Sequence, residues 1–124
     1  MTVRGIHHVG IAVADLDEAL ATYERLFGAT LERRSTVPDQ GVHALSVLVG
    51  EDRIELVSPT GADTPVGRFL ASRGPGIHHV AYEVDDVGAA LAGLAEAGAQ
   101  LIDEAPRPGP VSYTHLTLPT IYSV

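Results

Sequence analysis

Between residues 5 and 13 the chain alternates with a period of two. Ile6, His8, Gly10 and Ala12 fall on one face and His7, Val9, Ile11 and Val13 on the other, the pattern of a strand. The period then lengthens: Leu16, Ala19, Leu20, Tyr23 and Phe27 recur at helical spacing, with Asp15 placed as N-cap, Glu18 as its capping-box partner and Gly28 as the stop. Ala29 to Val37 reads as a second strand, Pro38-Asp39-Gln40-Gly41 as a turn, and Val42 to Val49 as a third strand. A hairpin at Gly50-Glu51-Asp52 leads into a fourth strand from Arg53 to Val57. There Ile54 and Leu56 form the apolar face, which turns Arg53, Glu55 and Val57 toward the side of His8. Residues 5–58 therefore form one βαβββ module.

Residues 59–75 read as a linker with a short helix of its own, capped by Thr64, started by Pro65, buried through Phe69 and Leu70, and stopped at Gly74-Pro75-Gly76. At Gly76 the opening pentapeptide returns: Gly5-Ile6-His7-His8-Val9 is repeated as Gly76-Ile77-His78-His79-Val80. Asp86 takes the place of Asp15, Val87, Ala90, Leu91 and Leu94 repeat the helical stripe, and Gly98-Ala99-Gln100-Leu101 mirrors Gly28-Ala29-Thr30-Leu31. A second module thus runs over 76–110. The expected fold is α+β, a single domain over 1–124 in which paired βαβββ modules form a cupped mixed sheet around a cleft, each contributing its first strand. Residues 111–124 carry no Ala, Gly or Arg in a chain rich in all three. They read as a foreign tail, in the manner of translated adapter sequence, so the second module is expected to be truncated.

Composition narrows the function classes. At 124 residues, 45% of them apolar, the chain is long enough for a real core. A net charge of −8, with no lysine and its arginines scattered, argues against nucleic acid or an anionic membrane as partner. An anionic substrate would have to be held by a metal or by a few arginines. Without cysteine, neither a disulfide framework nor a thiolate metal site is available. No apolar run approaches membrane-spanning length and the N-terminus lacks a signal pattern, so a cytoplasmic location is expected.

Within each repeat, His8 and His79 share their strand faces with small residues, Gly10 and Ala12 in one case and Ala81 in the other, which leaves room for a bound group. Two modules facing each other bring both imidazoles to one cleft, and Glu55 points the same way. The spacing from His8 to Glu55, laid off from His79, puts a matching carboxylate at about position 126, past the last residue. Two imidazoles with carboxylates are a borderline-to-hard donor set suited to Zn2+, Co2+, Ni2+, Mn2+ or Fe2+.

These residues carry a resemblance. The paired modules with ligands on their first and last strands resemble the vicinal oxygen chelate superfamily. Asp39-Gln40-Gly41-Val42, Glu55-Leu56-Val57-Ser58-Pro59, Thr64-Pro65-Val66 with Phe69-Leu70, and Gly76 through Ala81 with Val84-Asp85-Asp86 are similar to the methylmalonyl-CoA epimerase family within it. The resemblance implies a homodimeric isomerase of propionate metabolism acting on an acyl-CoA substrate. Its divalent metal would be Co2+, Zn2+, Ni2+ or Mn2+, held by His8, Glu55 and His79, and Gln40 is a candidate substrate contact. A base would remove the proton α to the thioester while the metal stabilises the enolate, and reprotonation from the opposite face would invert the centre. The chain departs from the family at the base: a glutamate that some members place two residues after Gln-Gly-Val is here Ala44, preceded by His43. His43 is the candidate substitute, although strand parity sets it on the face of Leu45 and Val47. The rival readings are another metal enzyme of the superfamily, a glyoxalase-type isomerase or a dioxygenase, and a non-catalytic small-molecule-binding module.

Overall fold

The period-2 runs become strands and the 3.6-period runs become helices. The structure, a computed structural model, describes residues 2–86, 88, 89, 92, 93 and, as backbone, 115–119. Strand β1 spans Val3–Ala12, helix α1 Leu16–Phe27, β2 Thr30–Val37, β3 Val42–Val49, β4 Asp52–Pro59, helix α2 Pro65–Arg73, β5 Gly76–Val84 and β6 His115–Pro119. The helix ends have the expected local chemistry. Asp15 accepts a hydrogen bond from the Glu18 amide at α1, Thr64 accepts one from the Gly67 amide at α2, and Gly28 closes α1 in the left-handed conformation.

The six strands form one mixed sheet in the order β2-β3-β4-β1-β5-β6. β1 runs parallel to β4, and every other neighbouring pair is antiparallel. The first βαβββ module is therefore present in full, with its first and last strands side by side, and β5 of the second module pairs directly against β1. Asp86 accepts from the Ala89 amide at 2.9 Å, as an N-cap in Asp15's role should. The stripe expected at Val87, Ala90, Leu91 and Leu94, the Gly98–Leu101 copy and most of 111–124 lie outside the described residues.

The two sheet faces are packed differently. Leu45, Val47 and Leu56 lie buried against Leu16, Leu20 and Tyr23 of α1. Full burial of each such aliphatic side chain contributes roughly 1.5–3 kcal/mol. Ala12, Ala44 and Val57 face the other way and pack beneath Val66, Phe69 and Leu70 of α2. That second face bears the small residues, and α2 covers only one end of it. The linker helix is thus a wall of the cleft. Among the described residues no helix is long and apolar enough to cross a membrane.

Candidate metal centre

Register assembles the site. Ser46 on β3 pairs with Glu55 on β4, Glu55 with Gly10 on β1, and Gly10 with His79 on β5, so four strands contribute to one row on one face. His8 lies two residues before Gly10 on the same side. Gly10 leaves the middle of the row without a side chain, and the His79 ring fills that space: a Cβ at Gly10 would lie 2.1 Å from His79 Cε1.

Three donor atoms converge there. His8 Nε2 lies 3.1 Å from His79 Nε2 and 3.6 Å from Glu55 Oε2, and His79 Nε2 lies 3.9 Å from Glu55 Oε1. Each gap is shorter than two metal–ligand bonds of about 2.1 Å, so one ion can sit within bonding distance of all three. The group is shielded unevenly: His8 and Glu55 are 2% and 3% exposed, and the His79 side chain 12%. Among the described residues Glu55 Oε2 is buried without a hydrogen-bond partner, and desolvation pushes its carboxyl up to about 7. A buried carboxylate facing two imidazole nitrogens is a donor set whose charge a divalent ion would balance. The His8, Glu55 and His79 group is able to hold a metal.

Around the three ligands runs a ring of contacts that simple alternation does not predict. The β1–β5 register slips by one residue at His7 and again, on the other strand, at His78, so each histidine before a ligand sits at a bulge. Alternation assigned both to the far face; the bulges turn them back toward their neighbours. His7 Nδ1 lies 2.8 Å from His8 Nδ1, and His78 Nδ1 lies 2.9 Å from His79 Nδ1. His7 Nε2 in turn faces Arg53 Nη1 at 3.2 Å, while the His78 ring stands edge-on to Phe69 of α2. Burial first, and Arg53 second, hold His7 below the usual histidine range, and burial does the same for His78.

Arg53 is itself fixed. Its Nε and Nη2 donate to the two oxygens of Glu32 at 2.7 and 2.9 Å, and the Ser46 hydroxyl donates to Glu32 at 2.7 Å. The hydrogen bond from Arg53 is the main reason the Glu32 carboxyl falls to about 2. Glu32, Arg53, Ser46, His7 and His78 had no site role in the sequence pattern. The available signal was that the repeated unit holds His-His, when one ligand per strand needs a single histidine.

The other candidates lie apart from this group. His43 shares the face of Leu45, pairs with Thr36 across the β2–β3 ladder, and has its Nδ1 3.0 Å from Thr36 Oγ1 at an exposed position. Gln40 ends the 3-10 turn Pro38–Gln40 and is half-buried. The following Gly41, at φ 67°, lies so close to the Thr64 cap of α2 that a Cβ would meet Thr64 Cγ2 at 2.7 Å.

Fold and site define a class: mixed-sheet proteins built on the βαβββ unit, with a buried His, Glu, His group drawn from three neighbouring strands and able to hold a metal. The chain belongs to the Glyoxalase/Bleomycin resistance protein/Dioxygenase superfamily, whose family model matches residues 7–114. It is 40% identical over 98 residues to the ethylmalonyl-CoA/methylmalonyl-CoA epimerase of Cereibacter sphaeroides, a match covering 78% of this chain and 73% of that protein. Among solved structures, methylmalonyl-CoA epimerase from Mycobacterium tuberculosis matches with a TM-score of 0.84 at 36% identity, over 89% of this chain and 75% of that one. A methylmalonyl-CoA epimerase in complex with methylmalonyl-CoA and ammonium gives 0.86 at 29% identity, over 90% and 81%.

Proposed function

We propose that this protein is an acyl-CoA epimerase that interconverts (R)- and (S)-methylmalonyl-CoA, with His8, Glu55 and His79 holding a divalent cation, Co2+, Zn2+, Ni2+ or Mn2+. The observation that carries the reading is the convergence of two imidazole nitrogens on a buried carboxylate whose Oε2 has no hydrogen-bond partner among the described residues. The epimerase relatives supply the substrate class. When bound, such a cation supplies Lewis-acid stabilisation of the negative charge that develops on a thioester oxygen as the α-proton leaves.

The chain's own residues hold and shape the pocket. Two neutral imidazoles and one carboxylate leave a divalent site net positive, which favours an anionic acyl group in an otherwise acidic protein. Val66 and Phe69 of α2 pack over one end of the cleft face. Gln40, on the turn beside the start of α2, is the proposed substrate contact. Glu32 is not the proton acceptor: bound on both oxygens by Arg53, it stays ionised and weakly basic. His43 is exposed, with its Nδ1 3.0 Å from Thr36 Oγ1, and is not assigned as the base. The homodimer and the cytoplasmic setting belong to the same proposal, to be tested by sedimentation and by cell fractionation.

The experiment is solvent exchange. In D2O the metal-loaded protein should replace the C2 proton of methylmalonyl-CoA with deuterium, at a rate well above that of the metal ion alone. No exchange above that control would overturn the epimerase reading.

A further inference from the structure

Helix α2 turns an apolar stripe toward the sheet, and the stripe ends in a charge. Val66, Phe69 and Leu70 pack over Ala12, Ala44 and Val57, and the next position at the same spacing, one turn past Phe69, is Arg73. A guanidinium therefore stands where the period calls for an apolar residue. Its Cζ lies over the Phe69 ring, 5.8 Å from the centroid. Arg34, Arg53 and Arg68 each pair with a carboxylate, whereas Arg73 has no ion pair among the described residues. The chain that follows it is bare. A Cβ at Gly74 or at Gly76 would meet nothing within 4 Å, so among the described residues there is open space beside the guanidinium.

The distance from Arg73 to the candidate metal ligands is bounded. Arg73 Cζ to the Phe69 ring is 5.8 Å, Phe69 to the His78 ring 5.0 Å, and His78 to the His79 ring 5.1 Å, so the guanidinium is no farther from His79 than those three steps laid end to end. An acyl-CoA whose thioester sits at His79 carries its diphosphate at the far end of the pantetheine arm. That arm is as long as four or five residues of extended chain, roughly 15 Å. The two lengths match.

Resting on the acyl-CoA reading above, we propose that Arg73 is a substrate-binding residue that holds the diphosphate of the CoA thioester at the α2 end of the cleft. Arginine stays charged at any working pH, and its planar fork offers paired N–H donors to two phosphate oxygens. Packing on Phe69 orders the side chain through apolar contact and leaves those donors for a ligand. In a chain of net charge −8, a cation without a carboxylate partner at the cleft margin gives a polyanionic ligand a local attraction that the overall field does not.

The test is calorimetric binding of racemic methylmalonyl-CoA, its 3′-dephospho form and methylmalonyl-pantetheine to the zinc-loaded protein, for the parent, Arg73→Gln, Arg73→Lys and Arg68→Gln. Arg73→Gln should bind the CoA thioester and its dephospho form about ten-fold more weakly, the weight of one charge-assisted hydrogen bond, and the pantetheine thioester as the parent does. Arg73→Lys keeps the charge but loses the fork, and should recover part of the affinity. Arg68→Gln removes the same charge from the same helix, at a residue paired with Asp63, and should change none of the three. If Arg73→Gln binds the CoA thioester as the parent does, or loses the pantetheine thioester equally, the assignment is refuted. A loss confined to the CoA thioester overturns the diphosphate in favour of the 3′-phosphate. If the parent binds none of the three, the acyl-CoA reading falls and the Arg73 site with it. If Arg73-dependent binding is found in a protein that exchanges no deuterium, the phosphate site stands and the epimerase reading alone is lost.

Discussion

Replacing Gly10 with alanine adds one methyl group at the centre of the site. That Cβ would lie 2.1 Å from His79 Cε1, 2.4 Å from its Nε2 and 2.5 Å from its Nδ1. Carbon atoms rest about 3.5–4.0 Å apart, so the ring has to retreat by roughly 1.5 Å. Metal–ligand bonds tolerate only about 0.2 Å, and His79 is lost as a ligand. The backbone itself accepts alanine, because Gly10 is not among the glycines with positive φ. Its effect is purely steric. Overpacking of this kind costs about 1–3 kcal/mol, a fall in Tm of roughly 3–10 °C for a domain of this size. Zinc affinity should drop at least about 100-fold, since changes just outside a ligand shell already cost about 10–100-fold. Chelator competition measures the second effect, and thermal melting in EDTA isolates the first. Gly76→Ala is the control: it lies on β5, a Cβ there meets nothing within 4 Å, and neither quantity should move. Undiminished zinc affinity in Gly10→Ala would show that His79 does not bind metal from the position it occupies here.

Glu55→Gln should weaken zinc binding by at least about ten-fold yet raise the Tm of metal-free protein at pH 8. A buried oxygen that is charged at that pH and lacks a partner is destabilising by about 1–3 kcal/mol; equal melting of the two proteins would contradict this. Glu32 gives the acid limb of stability. Its carboxyl is depressed to about 2 when folded, so its contribution is complete above the ordinary carboxylate range and is lost as pH falls toward about 2. The Arg53 pair is partly exposed, which screens that contribution to about 1 kcal/mol, and urea melts of the parent and Glu32→Gln should converge near pH 2. Thr64→Ala removes the α2 cap and should cost about 1 kcal/mol of stability. With α2 loosened at the end that meets Gly41, the KM for acyl-CoA should rise more than kcat falls.

Much of the fold was legible because it rests on local rules. Alternation placed the strands of the first module, 3.6-residue spacing placed α1, and the caps at Asp15 and Thr64 and the stop at Gly28 are chemistry between residues a few positions apart. The repeated pentapeptide brought His8 and His79 together, and parity on β4 added Glu55. By itself, then, the sequence determined the element order of the first module and brought together three residues that could hold a metal.

Tertiary structure decided the rest, for a physical reason. A bulge is a property of two strands in register, and no period within one strand announces it, so His7 and His78 were assigned to the wrong face. The Arg53–Glu32 pair joins residues on β4 and β2 with β3 between them, and the void over Gly10 exists only once β5 lies against β1.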